Sequence, residues 1–194
     1  CSYAANEVAI NWNAPLVYVT AALSALTPPA APATPMTQPT ASLAALLHQE
    51  EQLQFDRFTP DMARALGSLM VERARTRGQV VTVRISRDDT VLFEHAMPGA
   101  PADHLDWIRR KNNLVARTGH SSFYTHVQVR QDGGDHDRLP GLDMRDFAAH
   151  GGAFPLVVRG DGRIGTITVS GLPGPEDHAL VVETLQAFLQ AGVH

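Results

Sequence analysis

Apolar residues recur at helical spacing through two early stretches of this chain. Leu43, Leu46, Leu47 and Leu53 predict a helix over residues 41–53. Thr59 and Pro60 read as an N-cap and a first-turn proline, opening a second helix that runs to about Arg77. That helix carries Met62, Leu66, Leu69, Met70 and Ala74 on one face, and Gly78 stops it. The period then changes to two. Val81, Val83 and Ile85 alternate with Thr82, Arg84 and Ser86, a half-buried strand. Asp88-Asp89 is a turn, and Thr90 to Ala96 returns as a second strand. Pro101 begins a helix that reaches Thr118 and stops at Gly119.

The second half continues with helices and another hairpin, and no internal repeat is visible in the sequence. Ser121 to Arg130 fits a helix, with the serines as its N-cap. A polar loop over residues 131–138 leads to a short helical segment at 144–149. A second hairpin follows: Leu156 to Arg159, a Gly160-Asp161-Gly162 turn, and Arg163 to Val169. Pro155 lacks an N–H, so it belongs at the start or edge of its strand. A last helix is predicted from Asp177 to Ala191, opened by Gly174-Pro175-Glu176. Helices, hairpin, helices, hairpin, helix is the order of an α+β domain, an antiparallel sheet with helices on its faces.

Composition changes the picture at the N-terminus. Thr27 to Pro35 is rich in Pro, Ala and Thr, the composition of an extended linker. The head before it has one charged residue, Glu7, while the body after it carries nearly all the charge. The chain therefore divides into a head at 1–26, a linker at 27–40 and a body at 41–194, and Met36 is a natural first residue for the body. The net charge of −4 over 194 residues is mild, so neither a nucleic-acid partner nor a membrane surface is expected. Cys1 is the lone cysteine, which excludes an internal disulfide or a thiolate metal cluster and fits a cytoplasmic location. The opening residues lack a basic-then-apolar signal peptide.

Candidate chemistry gathers at the second hairpin. Gly151 and Gly152 lack a Cβ, so they either admit a ligand close to the backbone or only make a tight turn. His150 stands at the mouth of this unit, and Ser170-Gly171 leaves it. On the helix from Pro101, Lys111 falls beside the apolar face of Leu105, Ile108 and Val115. It either snorkels outward or points its ammonium into a site. Arg109 and Arg110 point further out and suit solvent or an interface. His178, near a helix N-terminus, should favour its neutral form and so could act as a ligand, though a hydrogen-bonded structural role is the commoner fate of a histidine. Zincin spacing, a nucleophile elbow, a phosphate loop and a dinucleotide fingerprint are all absent from the sequence, and no metal ligand set is assigned.

Two resemblances bear on these expectations. The head, Tyr3 to Leu16, resembles the extreme C-terminus of a family 9 glycoside hydrolase catalytic domain, with Glu7 at the position of the catalytic acid and Asn13 and Ala14 also fitting. Glycoside hydrolysis needs a second placed carboxylate and a cleft. The head is thus expected to be a remnant or fusion scar without cellulase activity, and a cellulase fragment is the remote alternative. The body resembles uncharacterised protein family 0303, related to the GlcG/HbpS-like haem-binding or haem-degrading domains. The resemblance rests on Leu53-x-Phe55, Trp107 to Lys111, Ser121-Ser122, His150-Gly151-Gly152-x-Phe154-Pro155, Gly165-x-x-x-Val169-Ser170-Gly171-Leu172, and Asp177-His178.

The second resemblance implies a profilin-like three-layer fold with a five-stranded antiparallel sheet. It also implies self-association as a dimer or larger ring, and a small-molecule ligand with haem as the candidate cofactor. Lys111, His150, Gly151, Gly152, Ser170, Gly171 and His178 are the expected pocket residues. The competing expectation is a non-catalytic oligomeric adaptor in which the same motifs shape subunit contacts.

Overall fold

The computed structural model describes residues 42–192. The head, with its resemblance to a glycoside hydrolase, and the whole linker lie outside the described residues. The first helix, α1 (Leu43–Gln52), is capped by Ser42, whose hydroxyl accepts the Ala45 N–H at 3.1 Å. In α2 (Pro60–Thr76) the Thr59 hydroxyl accepts from the Met62 N–H at 3.2 Å and Pro60 takes the first turn. Strands β1 (Thr82–Arg87) and β2 (Thr90–Ala96) follow, then α3 (His104–Thr118) and α4 (Ser122–Gln131). Strands β3 (Ala153–Val158) and β4 (Gly162–Ser170) make the second hairpin, and α5 (Gly174–Gln190) closes the body. No helix among the described residues is long and apolar enough to cross a membrane.

The sheet is antiparallel with order β2-β1-β4-β3. Its two faces differ sharply, because strand alternation sorts the side chains. Val83, Ile85, Phe154, Leu156, Ile167 and Val169 pack with Leu66 and Met70 of α2 and Leu180, Val181 and Leu185 of α5. Each large side chain fully buried there contributes about 1.5–3 kcal/mol. The opposite face carries Thr82, Ser86, Thr166, Thr168 and Ser170, all buried. The helix over it, α3, meets these hydroxyls with polar groups: Thr168 donates to Asn112 Oδ1 at 2.5 Å, and Thr82 Oγ1 lies 3.3 Å from His104 Nδ1. A polar inner face under a helix is a place to build a site.

Two expectations need correction. Among the described residues the sheet has four strands, and a single parallel bridge, Phe55 to Val158, stands where a fifth would lie. The Phe55 N–H donates to Val157 O at 2.9 Å, and Phe55 O accepts the Arg159 N–H at 2.8 Å. The segment between α1 and α2 is too short to extend the pairing before Thr59 caps the next helix. Pro155 lies in β3, the edge strand, as its missing N–H requires.

The segment 144–149 is a turn, not a helix. Asp143 O accepts the N–H groups of Asp146 and Phe147, which makes one turn. The next carbonyls are taken by α3: Arg109 donates to Arg145 O at 2.6 Å and Asn113 to Asp146 O at 2.9 Å. Two helix boundaries also move. The third helix starts at His104 rather than Pro101, and α5 starts at Gly174 rather than Asp177, with Pro175 in its first turn.

Candidate functional site

Lys111 organises the site. It points inward and is 2% exposed, so the snorkelling alternative is excluded. Its Nζ donates to Gly151 O at 2.8 Å, Val169 O at 2.9 Å and Asp177 Oδ2 at 3.0 Å. Three acceptors match the three donors of an ammonium. Asp177 is equally buried, and its Oδ1 accepts the Leu172 N–H at 3.0 Å. One lysine thus ties together the turn before β3, the end of β4 and the first turn of α5. Burial pulls Lys111 below its ordinary value and pushes Asp177 up to about 6, each opposed by the attraction of the other. The fully hydrogen-bonded geometry favours the ionised pair.

The glycines serve this arrangement. Gly152 has φ +118°, and a Cβ there would fall 2.8 Å from Lys111 Nζ. A Cβ on Gly151 would collide with the backbone of Gly174. The close approach that these glycines permit is therefore that of the lysine and of α5. Gly152 lies beneath the site rather than on its wall.

Above the ion pair opens a cleft of about 320 Å³. Pro101, His104 and Trp107 form one wall, Ser170, Gly171 and Leu172 the other, and His150 stands at the mouth. His104 is held by its Nδ1 against Thr82. Trp107 is half-buried, with the Arg110 guanidinium 3.9 Å from its ring centre and His150 edge-on at 5.1 Å. Arg110 is further fixed by Asp106 at 2.8 Å, and Arg109 by Asp106 and Asp146, so both arginines are engaged within the chain. The floor charges neutralise each other. The cleft therefore presents two imidazoles, an indole face and a few apolar contacts, a wall suited to a planar ligand.

Of the expected site residues, Lys111, His150, Gly151, Ser170 and Gly171 meet at this cleft. His178 lies elsewhere. It is 5% exposed, donates from Nε2 to Gln49 Oε1 at 2.9 Å, and packs against Phe123 with ring centres 4.8 Å apart. It is held neutral by burial, which pulls its pKa down to about 4, rather than by the helix dipole. The serines of α4 are structural: Ser121 caps the helix through the Tyr124 N–H, and the Ser122 hydroxyl accepts from the Ala153 N–H at 3.0 Å. Sequence reasoning missed His104 and Asp177 and did not place Trp107 in the site. The signal for the first was present: His104, Trp107 and Lys111 stand at i, i+3 and i+7, one stripe of α3.

An antiparallel sheet with one apolar and one hydroxyl-lined face, and a helix-bordered cleft at the end of the latter, defines a small-cleft α+β domain. The chain belongs to the HbpS-like family: the model for haem degrading protein HbpS-like matches residues 58–186. It is 47% identical over 152 residues to a UPF0303 protein of Streptomyces coelicolor, covering 78% of this chain and 96% of that one. A UPF0303 protein of Azotobacter vinelandii is 44% identical over 142 residues, covering 73% and 86%. Among solved structures, that of Ybr137w superposes with a TM-score of 0.71 at 29% identity, covering 77% of this chain and 90% of that one. HbpS gives 0.53 at 20% identity, covering 70% and 92%. The PduOC–haem complex gives 0.56 at 21%, covering 68% and 94%; these two share the fold.

Proposed function

We propose that the cleft over the Lys111–Asp177 pair binds a small planar ligand of the haem class, in a self-associating protein of the cytoplasm. The observation that carries this reading is the wall of His104 and Trp107 above a charge-neutral floor. With Nδ1 held by Thr82, His104 has Nε2 left as the candidate ligand to an iron, and the Trp107 ring offers a stacking face. Haem would supply a redox-active iron at this wall. The cleft lies at the low end of ligand pockets, about 300–1,000 Å³, and it is open. A porphyrin would therefore enter edge-first, leaving its far side to solvent or to a second chain. Family membership supports the haem class, as does the fold shared with the PduOC–haem complex. Lys111 acts here as a positioning residue: its bonds are all spent within the chain, and it fixes the glycine turn and α5 around the cleft.

Hemin titration followed in the Soret region tests the reading. Saturable binding is expected, at least about tenfold weaker in His104→Ala, since a lost contact worth 1.4 kcal/mol is tenfold in affinity. Equal titrations of the wild type and a His104→Ala/Trp107→Ala variant would overturn it. The adaptor reading, favoured by the open edge of β2, would then stand.

A further inference from the structure

Behind the mouth of the cleft, four side chains converge that the ligand reading uses only in part. His136 and Asp137 come from the polar loop after α4, His126 from α4 itself, and His150 from the turn before β3. The ligand atoms of His136, Asp137 and His150 all lie within 4.8 Å of one another. His150 Nε2 is 3.0 Å from Asp137 Oδ1, and His136 Nε2 is 3.7 Å from Asp137 Oδ2. A tetrahedral metal with bonds of about 2.1 Å places its ligand atoms about 3.4 Å apart; each imidazole stands near that distance from its own oxygen of the Asp137 carboxylate.

We propose that His136, Asp137 and His150 bind a divalent transition-metal ion of the zinc, nickel and copper class at the rim of the cleft. Two imidazoles and a carboxylate suit that class, and three protein ligands leave a position for water or an oxygen donor. The scaffold is already ordered. Asp135 accepts the Asp137 N–H through its side chain at 2.9 Å and the Arg138 N–H through its carbonyl at 2.9 Å, which shapes the loop. His126 abuts the cluster with its ring centre 4.3 Å from that of His136. It donates Nδ1–H to Ala149 O at 2.9 Å, the backbone bond that orients metal-site imidazoles, and keeps Nε2 available.

His136 faces Asp137 through Nε2, while its Nδ1 is buried without a hydrogen-bond partner among the described residues. The bland alternative is that the His150–Asp137 bond merely pins the loop to the body.

The test uses the untagged full chain and Co²⁺, with Zn²⁺ as competitor. One Co²⁺ per chain should bind with the intense visible d–d absorption of a low-coordinate site, and Zn²⁺ should displace it. His136→Ala and Asp137→Ala change the polar loop after α4 and leave the hemin cleft's His104 wall untouched. Each should weaken Co²⁺ binding at least about tenfold, the lower end of what loss of even an outer partner costs, with an unchanged melting temperature in metal-free buffer. Weak octahedral absorption alone, or equal affinity in wild type and both variants, would overturn the proposal. Because hemin is absent from the assay, this failure is separate from failure of the ligand reading.

Discussion

His178 is a buried imidazole with one nitrogen paired to Gln49 and the other, Nδ1, without a partner among the described residues. Only the neutral ring fits. Its pKa of about 4 in the folded chain lies below the ordinary 6.5, so the unfolded chain takes up a proton first as pH falls. The stabilisation is therefore complete above about pH 6.5 and is lost as pH drops toward 4. At 1.36 kcal/mol per unit, the loss amounts to about 3 kcal/mol. Urea denaturation across that range should show the decline, and His178→Gln, which keeps a donor for Gln49 but does not titrate, should flatten it. His126 and His150 shift in the same direction, so some slope should remain. An identical slope in wild type and variant would remove His178 from the acid response.

At the scale of elements, α3 holds the site, and it does so through one residue. Lys111→Met leaves Asp177 buried without its cation, and frees Gly151 O and Val169 O. Breaking a buried pair from one side costs about 3–5 kcal/mol, and denaturant titration should find a loss of that size. With the cation gone, Asp177 rises above its present value of about 6, and the folded state then tolerates the carboxyl only when protonated. The variant should accordingly be less stable near pH 8 than near pH 5, and Lys111→Met/Asp177→Leu should recover most of the loss. A Lys111→Met protein as stable as wild type would mean that the pair does not hold these elements.

The elements themselves were legible because both hydrophobic periods and the N-caps of α2 and α4 are written locally. The Thr59-Pro60 start and the Gly160 and Gly162 turn need no distant partner. What escaped the sequence depended on contacts across the chain. The segment at 144–149 has helical residues, but Arg109 and Asn113 claim its carbonyls. Asp177 looked like an ordinary first-turn acid until α5 was placed against Lys111. His178 is a site candidate in the sequence as a first-turn histidine and through the family resemblance, yet one step along a helix from Asp177 turns a side chain by about 100°, here toward Gln49 and Phe123.

For the whole molecule, the sheet leaves its two edges unequally protected. Beside β3, Phe55 takes up backbone groups of Val157 and Arg159. Among the described residues strand β2 has no such cover: it pairs with β1 on one side only, and Val91 is 48% exposed on it. An open edge of this kind is a template for pairing with another strand, and proteins that keep such an edge free usually guard it with charge or proline. Here the guard is thin, since Glu94 is drawn across the ladder to Arg84 at 2.5 Å. A second copy of the chain is the natural cover, and it would bring two clefts into one particle. Light scattering should therefore return at least twice the 21.0 kDa of one chain. Val91→Lys puts a charge on that edge without touching the core and should shift the mass toward the monomer. A dimer that survives this change is built through another surface, whereas a wild-type monomer at every concentration tested would defeat self-association and with it the adaptor reading.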